Sequence, residues 1–207
     1  IPGFPCYRTV EETFASAQAL AAAHPTLATI VDAGNSWEKA TAGGLPGYDM
    51  LVLKLTNSGV PGPKPKLFTT TAIHAREYTT AELAMRFAEG LVDGYGIDAD
   101  ATWLLDHHEV HLLLQTNPDG RKNAEAGAFW RKNTDNNYCA NTDSRGADLN
   151  RNFAFQWGCC GGSSGSQCEE TYRGAAPASE PEVQAVQAYL QANFPDQQLP
   201  GLNEPAP

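Results

Sequence analysis

Apolar residues at Val10, Phe14, Ala17 and Ala21 recur at helical spacing behind Thr9-x-x-Glu12, which predicts a helix that opens on a capping box and stops at Pro25. Residues 27–31 predict a short strand, residues 49–56 (DMLVLKLT) alternate well enough for another, and residues 67–73 (LFTTTAI) form a third β-rich segment after a Pro/Gly surface loop over 59–65. Thr79 and Thr80 are N-cap candidates for a helix through Val92, with Leu83, Phe87 and Leu91 as its buried stripe. Residues 110–114 are apolar on both faces, as a central strand should be, and stop at Thr116-Asn-Pro-Asp-Gly120, a turn signal. Residues 121–178 are rich in Asn, Ser, Gly and Asp with little periodicity, and Ser179-x-x-Glu182 restarts a helix carrying Val183, Val186 and Leu190. Strand–helix alternation of this kind predicts an α/β sheet with helices on its faces. A nearly structureless stretch as long as 121–178 is uncommon unless it serves function, so chemistry is expected there.

The 207 residues fit one large domain, and 42% hydrophobic against 18% charged residues is too apolar a mixture for a disordered chain. Lys and Arg number 14 against 24 Asp and Glu, a formal charge of −10 with no local basic cluster, so nucleic acid and anionic membrane surfaces are disfavoured as partners. No run of 18 apolar residues occurs, and the first residues lack the charged and apolar regions of a signal peptide. The chain begins at Ile1, which fits removal of a presequence. Five cysteines (Cys6, Cys139, Cys159, Cys160, Cys168) without a CxxC pair favour disulfides and a secreted, extracellular protein over a structural zinc site. The odd number leaves one thiol free or paired outside the chain.

His74 and Glu77 lie three residues apart between a strand and a helix, where one turn can bring an imidazole nitrogen and a carboxylate to one cation such as Zn²⁺. The competing reading is a surface histidine and a first-turn glutamate favoured by the helix dipole. His107 and His108 read as an exposed connection, His111 falls on the far face of its strand, His24 offers no pattern, and no histidine follows residue 111. Arg131, Asn150 and Arg151 supply guanidinium and amide donors in aperiodic loops, which suits binding of a carboxylate. The alternative is structural pairing of these arginines with Asp135, Asp143 or Asp148.

HxxE at 74–77, TNPDG at 116–120, WRK at 130–132, DLNRN at 148–152 and CxETYxG at 168–174 stand in the order of the M14 zinc carboxypeptidases, and the chain resembles that family from about residue 7 onward. WGCCGGSSGS at 157–166 is similar to the bacterial carboxypeptidase T-like branch. The resemblance implies a mixed central β-sheet with helices on both faces, Zn²⁺ as cofactor, and peptide or protein C-termini as substrate. It also implies His74 and Glu77 as zinc ligands, Arg131 as the oxyanion-stabilising catalytic arginine, Asn150 and Arg151 as the grip on the terminal carboxylate, and Arg76 as part of the substrate groove. Cys139 and Cys168 match a disulfide pair of the family. Cys159 and Cys160 are adjacent and strained for bridging each other, so their partners and that of Cys6 stay open. The family's third ligand, a histidine, has no match here, nor do its glutamate base and mobile tyrosine, and the terminal GLNEPAP resembles the loop before the strand ending in that histidine. Residues 1–207 are therefore expected to be a single incomplete catalytic domain lacking its C-terminal third. Such a chain would be inactive alone unless a companion C-terminal fragment completes it. A non-catalytic, peptide-carboxylate-binding pseudoenzyme is the alternative, and a metal-dependent deacylase sharing HxxE is disfavoured by the WRK and DLNRN pairing.

Overall fold

Helix α1 (Val10–Ala23) opens on the expected capping box: the Thr9 hydroxyl accepts from the Glu12 amide at 3.2 Å, and the Glu12 carboxylate accepts from the Thr9 amide at 2.8 Å. The computed structural model describes residues 1–140 and 142–194, so GLNEPAP at 201–207 lies outside the described residues. Within them the chain continues through β1 (Ala28–Asn35), α2 (Trp37–Ala40), β2 (Asp49–Leu55), β3 (Lys66–Thr70), α3 (Tyr78–Gly94), α4 (Ala99–His107), β4 (Glu109–Leu113), α5 (Pro118–Glu125), a 3₁₀ turn (Leu149–Arg151) and α6 (Pro181–Asn193).

Four strands form one mixed sheet in the order β1-β2-β4-β3, antiparallel except for the parallel β3–β4 pair. Alternation along the strands divides the core between two faces. Leu53, Leu55, Val110 and Leu112 pack against α1, α3 and α4, whereas Met50, Val52 and Leu113 pack against Val186 and Tyr189 of α6. Helices thus cover both faces, as the family resemblance implied. His111 points to the α6 face, with Nδ1 2.7 Å from the Tyr189 hydroxyl.

Three expectations need correction. The buried stripe of α3 is Ala81, Ala84, Met85, Ala88, Leu91 and Val92, while Leu83 and Phe87 are 66% and 41% exposed. Small side chains let this helix lie close to the sheet, so the largest apolar residues do not mark its inner face. Residues 118–125 are a helix rather than the continuation of a turn: Asn117 caps it by accepting from the Gly120 amide at 3.0 Å, and Pro118 occupies the first turn, where its missing N–H costs nothing. Helix α6 has no Ser179 capping box, because the Ser179 hydroxyl donates to Glu180 at 2.7 Å and the Glu182 carboxylate accepts from the Trp37 amide at 2.8 Å.

The parallel pair positions the candidate site residues. Thr70 and Leu113 are partners at the carboxyl ends of β3 and β4, so the segments carrying His74 and Asn117 leave the sheet side by side. Parallel sheets place ligand sites outside these strand ends. Ala72, at φ 51°, turns the chain out of β3 in the left-handed region that an alanine adopts only at some cost, and its amide donates to the Thr80 hydroxyl at 2.9 Å.

Candidate functional site

Asn117 stitches the two loops of the site together. Its Nδ2 lies 2.9 Å from the Lys132 carbonyl, 3.3 Å from that of Arg131 and 3.4 Å from that of Ile73, and the Ala75 amide donates to Arg131 O at 3.1 Å. Gly120 completes the seam, because a Cβ there would sit 2.5 Å from Lys132 O. Segment 73–75 and segment 131–132 are held together from the sheet's edge.

His74 is 7% exposed, which removes the surface-histidine reading. Its Nδ1 stands 2.9 Å from Glu77 Oε1 and its Nε2 3.1 Å from Asp148 Oδ1. Asp148 is fully buried and also accepts from Arg131 through Nε at 3.2 Å and Nη2 at 2.9 Å, and from the Asn150 amide at 3.0 Å. Burial alone would raise the Asp148 pKa, but hydrogen bonds from His74 and Arg131 bring it below the ordinary aspartate value. The pairing of Arg131 with Asp148 foreseen as a structural alternative therefore exists, and the same carboxylate holds the histidine. Asp148 is the member of this candidate site that the sequence offered only as an arginine partner. Its 74-residue separation from His74 left no local signal.

The remaining candidates surround this hub. Arg76 donates to Glu170 at 2.9 Å and stacks on Phe129 at 4.1 Å, on the rim of a cleft of about 710 Å³ that Glu77, Tyr7, Tyr78 and Phe4 also line. Asn150 and Arg151 follow Asp148 on the 3₁₀ turn and line a cavity of about 140 Å³ with Phe155 and Trp157. Arg151 Nε donates to Gly162 O at 2.7 Å. Cys139 and Cys168 form the implied disulfide. Cys159 and Cys160, whose partners the sequence left open, pair with each other in a loop whose Gly158, Gly161 and Gly162 all adopt positive φ; Cys6 is free and exposed.

The donor chemistry suits a divalent cation. A neutral imidazole donating from Nε2 to Asp148 turns the Nδ1 lone pair toward Glu77 Oε1, and two acceptors 2.9 Å apart are satisfied together only by a proton or a cation. Zinc takes N and O donors at about 2.0–2.2 Å, so both lie within reach of one ion. A carboxylate behind a ligating imidazole is a common feature of such sites. Among the described residues, no group of three or more His, Cys, Asp or Glu side chains is arranged to hold a metal.

A sequence model described as zinc carboxypeptidase, peptidase M14, matches residues 13–201. The chain belongs to this family. Human carboxypeptidase B2 is 33% identical over 189 residues, covering 91% of this chain and 42% of that protein. Rat carboxypeptidase A1 is 34% identical, covering 87% and 40%, and a bacterial zinc carboxypeptidase of Saccharothrix mutabilis subsp. capreolus is 34% identical, covering 77% and 35%. Among solved structures, thrombin activatable fibrinolysis inhibitor aligns with a TM-score of 0.79 at 29% identity over 90% of this chain and 44% of that one. Carboxypeptidase A of Helicoverpa armigera aligns with a TM-score of 0.75 at 29% identity, over 89% and 42%. The chain spans about 40% of the length of the curated relatives it matches. Among the described residues, no helix of this chain is long and apolar enough to cross a membrane.

Proposed function

We propose that the chain carries the metal pair, the oxyanion arginine and the carboxylate grip of a zinc carboxypeptidase that releases C-terminal residues from peptides. The observation that supports this most is the shared carboxylate of Asp148, which holds His74 and Arg131 from one buried point and the Asn150 amide beside them. His74 and Glu77 are the proposed zinc ligands. A zinc ion bound there supplies Lewis acidity and lowers the pKa of water toward about 7. Asp148 keeps the His74 proton on Nε2, leaving Nδ1 as the ligating atom. Arg131 spends Nε and Nη2 on Asp148, and its Nη1 is the group proposed to meet charge developing on the scissile carbonyl oxygen. Asn150 and Arg151 bind the terminal carboxylate, so only the last residue is presented for cleavage. Arg76 borders the cleft through which the upstream peptide would leave.

With two ligands among the described residues, the chain alone is proposed to be inactive or nearly so, and a companion segment from the same family domain would restore turnover. Two disulfides fit an oxidising, extracellular location. A peptide-carboxylate-binding module without catalysis is the second reading, favoured by the incomplete ligand set. Incubation with an N-blocked dipeptide as free acid and as amide, with and without zinc, separates them. The carboxypeptidase reading expects binding of the free acid only, hydrolysis negligible for the chain alone, and hydrolysis that appears with the complementing segment. In that complemented enzyme Arg131→Ala lowers kcat by about 10²–10³, whereas Arg151→Ala mainly raises KM. Free-acid binding with no hydrolysis under any complementation supports the binding module, and equal binding of acid and amide refutes both.

A further inference from the structure

Asp119 belongs to the TNPDG motif yet takes no part in the site built on Asp148. It lines a separate cavity of about 320 Å³, bounded by α2, α5, the loop before β2 and the segments carrying Thr134 and Arg145. None of the residues around the Glu77 cleft or the Arg151 cavity lines it.

The acids of this cavity lack a close counter-charge. Asp119 Oδ2 accepts from the Glu38 amide at 2.9 Å, which brings two buried carboxylates together. Burial, with the Glu38 charge adding to it, pushes the Asp119 carboxyl up to about 6 against hydrogen bonds from the Glu38 amide and the Ser36 hydroxyl, neither of which is a cation. Glu38 Oε2 accepts from the Leu45 amide at 3.4 Å, while its Oε1 has only Arg145 Nη2 at 4.0 Å, beyond hydrogen-bond reach. Lys122, the other cation of the lining, is occupied by Glu11 at 2.7 Å and by Glu125. The Thr134 hydroxyl lines the same cavity, and Thr134 is 2% exposed; this oxygen has no hydrogen-bond partner among the described residues. A buried hydroxyl in that state is costly until something pairs with it.

The opposite wall is apolar and preformed. It consists of Leu45, Pro46 and the Tyr48 ring. The Tyr48 amide donates to Ser36 Oγ at 2.9 Å, and the Ser36 amide donates to Tyr48 O at 2.9 Å. Gly47, at φ 56°, backs onto α2 so closely that a Cβ would lie 2.2 Å from Lys39 N. A wall fixed in advance lowers the ordering cost of binding.

We propose that this cavity binds a primary ammonium on a short aliphatic stem, with the ammonium at Asp119, Glu38 and the Thr134 hydroxyl and the stem against Leu45, Pro46 and Tyr48. An ammonium has three donors and no acceptor, so each of these three oxygens can take one. An aromatic wall adds to the attraction for a cation. Arg145 is then a like charge at the rim and a competitor for Glu38. Two sources carry this head group, a free alkylamine and the lysine side chain of a peptide. The site stands independently of the carboxypeptidase reading.

The test is calorimetric titration of the full chain at pH 7.5 with n-butylammonium chloride, with n-butanol and sodium butyrate as controls. Saturable binding of one n-butylammonium per chain is expected, with neither control bound. Asp119→Asn keeps an acceptor for the Glu38 amide and should weaken binding about 10–100-fold, the loss of a hydrogen bond to a charged group. Thr134→Val should weaken it about 2–10-fold, and Arg145→Gln should not weaken it. Amide chemical shifts of the unaltered chain give a readout that needs no variant: n-butylammonium should move residues 45–48, 119–123 and 134. Absence of saturable binding, shifts confined to other residues, butyrate bound in place of the amine, an Asp119→Asn affinity equal to that of the unaltered chain, or weaker binding in Arg145→Gln would each overturn the proposal. Nα-acetyl-lysine methylamide separates the sources: binding equal to that of n-butylammonium assigns a peptide lysine, and loss of binding assigns a free amine, either of which supports the site.

Discussion

Asp148 and Glu182 are both carboxylates sealed from solvent, yet their pKa values move in opposite directions. Asp148 faces His74 and the Arg131 fork and is held below the ordinary aspartate value. Glu182 receives the Trp37 amide and, at 3.2 Å, the Asn133 amide group, both neutral donors, with Glu180 beside it; burial pushes it up to about 8. Glu180 shares the Asn133 Nδ2 at 2.8 Å and is pushed up to about 7. The difference lies in the partners, since burial is the same. The candidate site keeps its negative charge by setting the Arg131 guanidinium and the His74 ring against it. The anchor that joins loop 133–135 to α6 keeps its protons instead.

The largest break in this comparison comes from Asp148→Ala, which strands the Arg131 guanidinium without its counter-charge and His74 Nε2 without its partner. Urea unfolding should show a loss of about 3–5 kcal/mol, against a neutral or stabilising Glu182→Gln at pH 8. Next comes the pH dependence itself. Because the folded value of Glu182 lies above its unfolded one, its contribution is fully present below about pH 4.5 and fades as pH rises through about 8. Unfolding free energy from this group should fall by about 3 kcal/mol between pH 5 and 8, and Glu182→Gln should flatten that slope. Asp148 acts with the opposite sign, stabilising above the ordinary aspartate range and losing its contribution as acid protonates it. Smallest is Asn133→Ala, which removes the donor shared by Glu180 and Glu182. It should cost about 1–3 kcal/mol at pH 7 and less at pH 5, where both acids are protonated and less in need of the Asn133 donor. An equal loss at both pH values would mean that the anchor is not proton-dependent.

Much of the architecture was legible in the chain. The capping box at Thr9 and the alternation of β2 are local signals, and both elements formed where they pointed. The inner face of α3 was misread because Leu83 and Phe87 are large, whereas the sheet accepts Ala81, Ala84 and Ala88. Helix α5 was hidden by Pro118 and Gly120, residues that signal a turn until Asn117 is seen capping them. The ordered motifs gave His74, Glu77, Arg131, Asn150 and Arg151 as candidates. They could not give the joint role of Asp148 or the stitching by Asn117, because each depends on contacts between segments far apart in sequence. The pairing of Cys159 with Cys160 stayed open in the sequence, because adjacency alone does not choose a partner.

The central claim is that His74 and Glu77 jointly hold a zinc ion with Asp148 orienting the imidazole. Titration of zinc into the full chain and its variants, followed by competition with a chelator, measures it most directly. The account predicts one zinc per chain, binding about 10–100-fold weaker in Asp148→Asn and abolished in the double variant His74→Ala/Glu77→Ala. Unchanged zinc affinity in that double variant would contradict it.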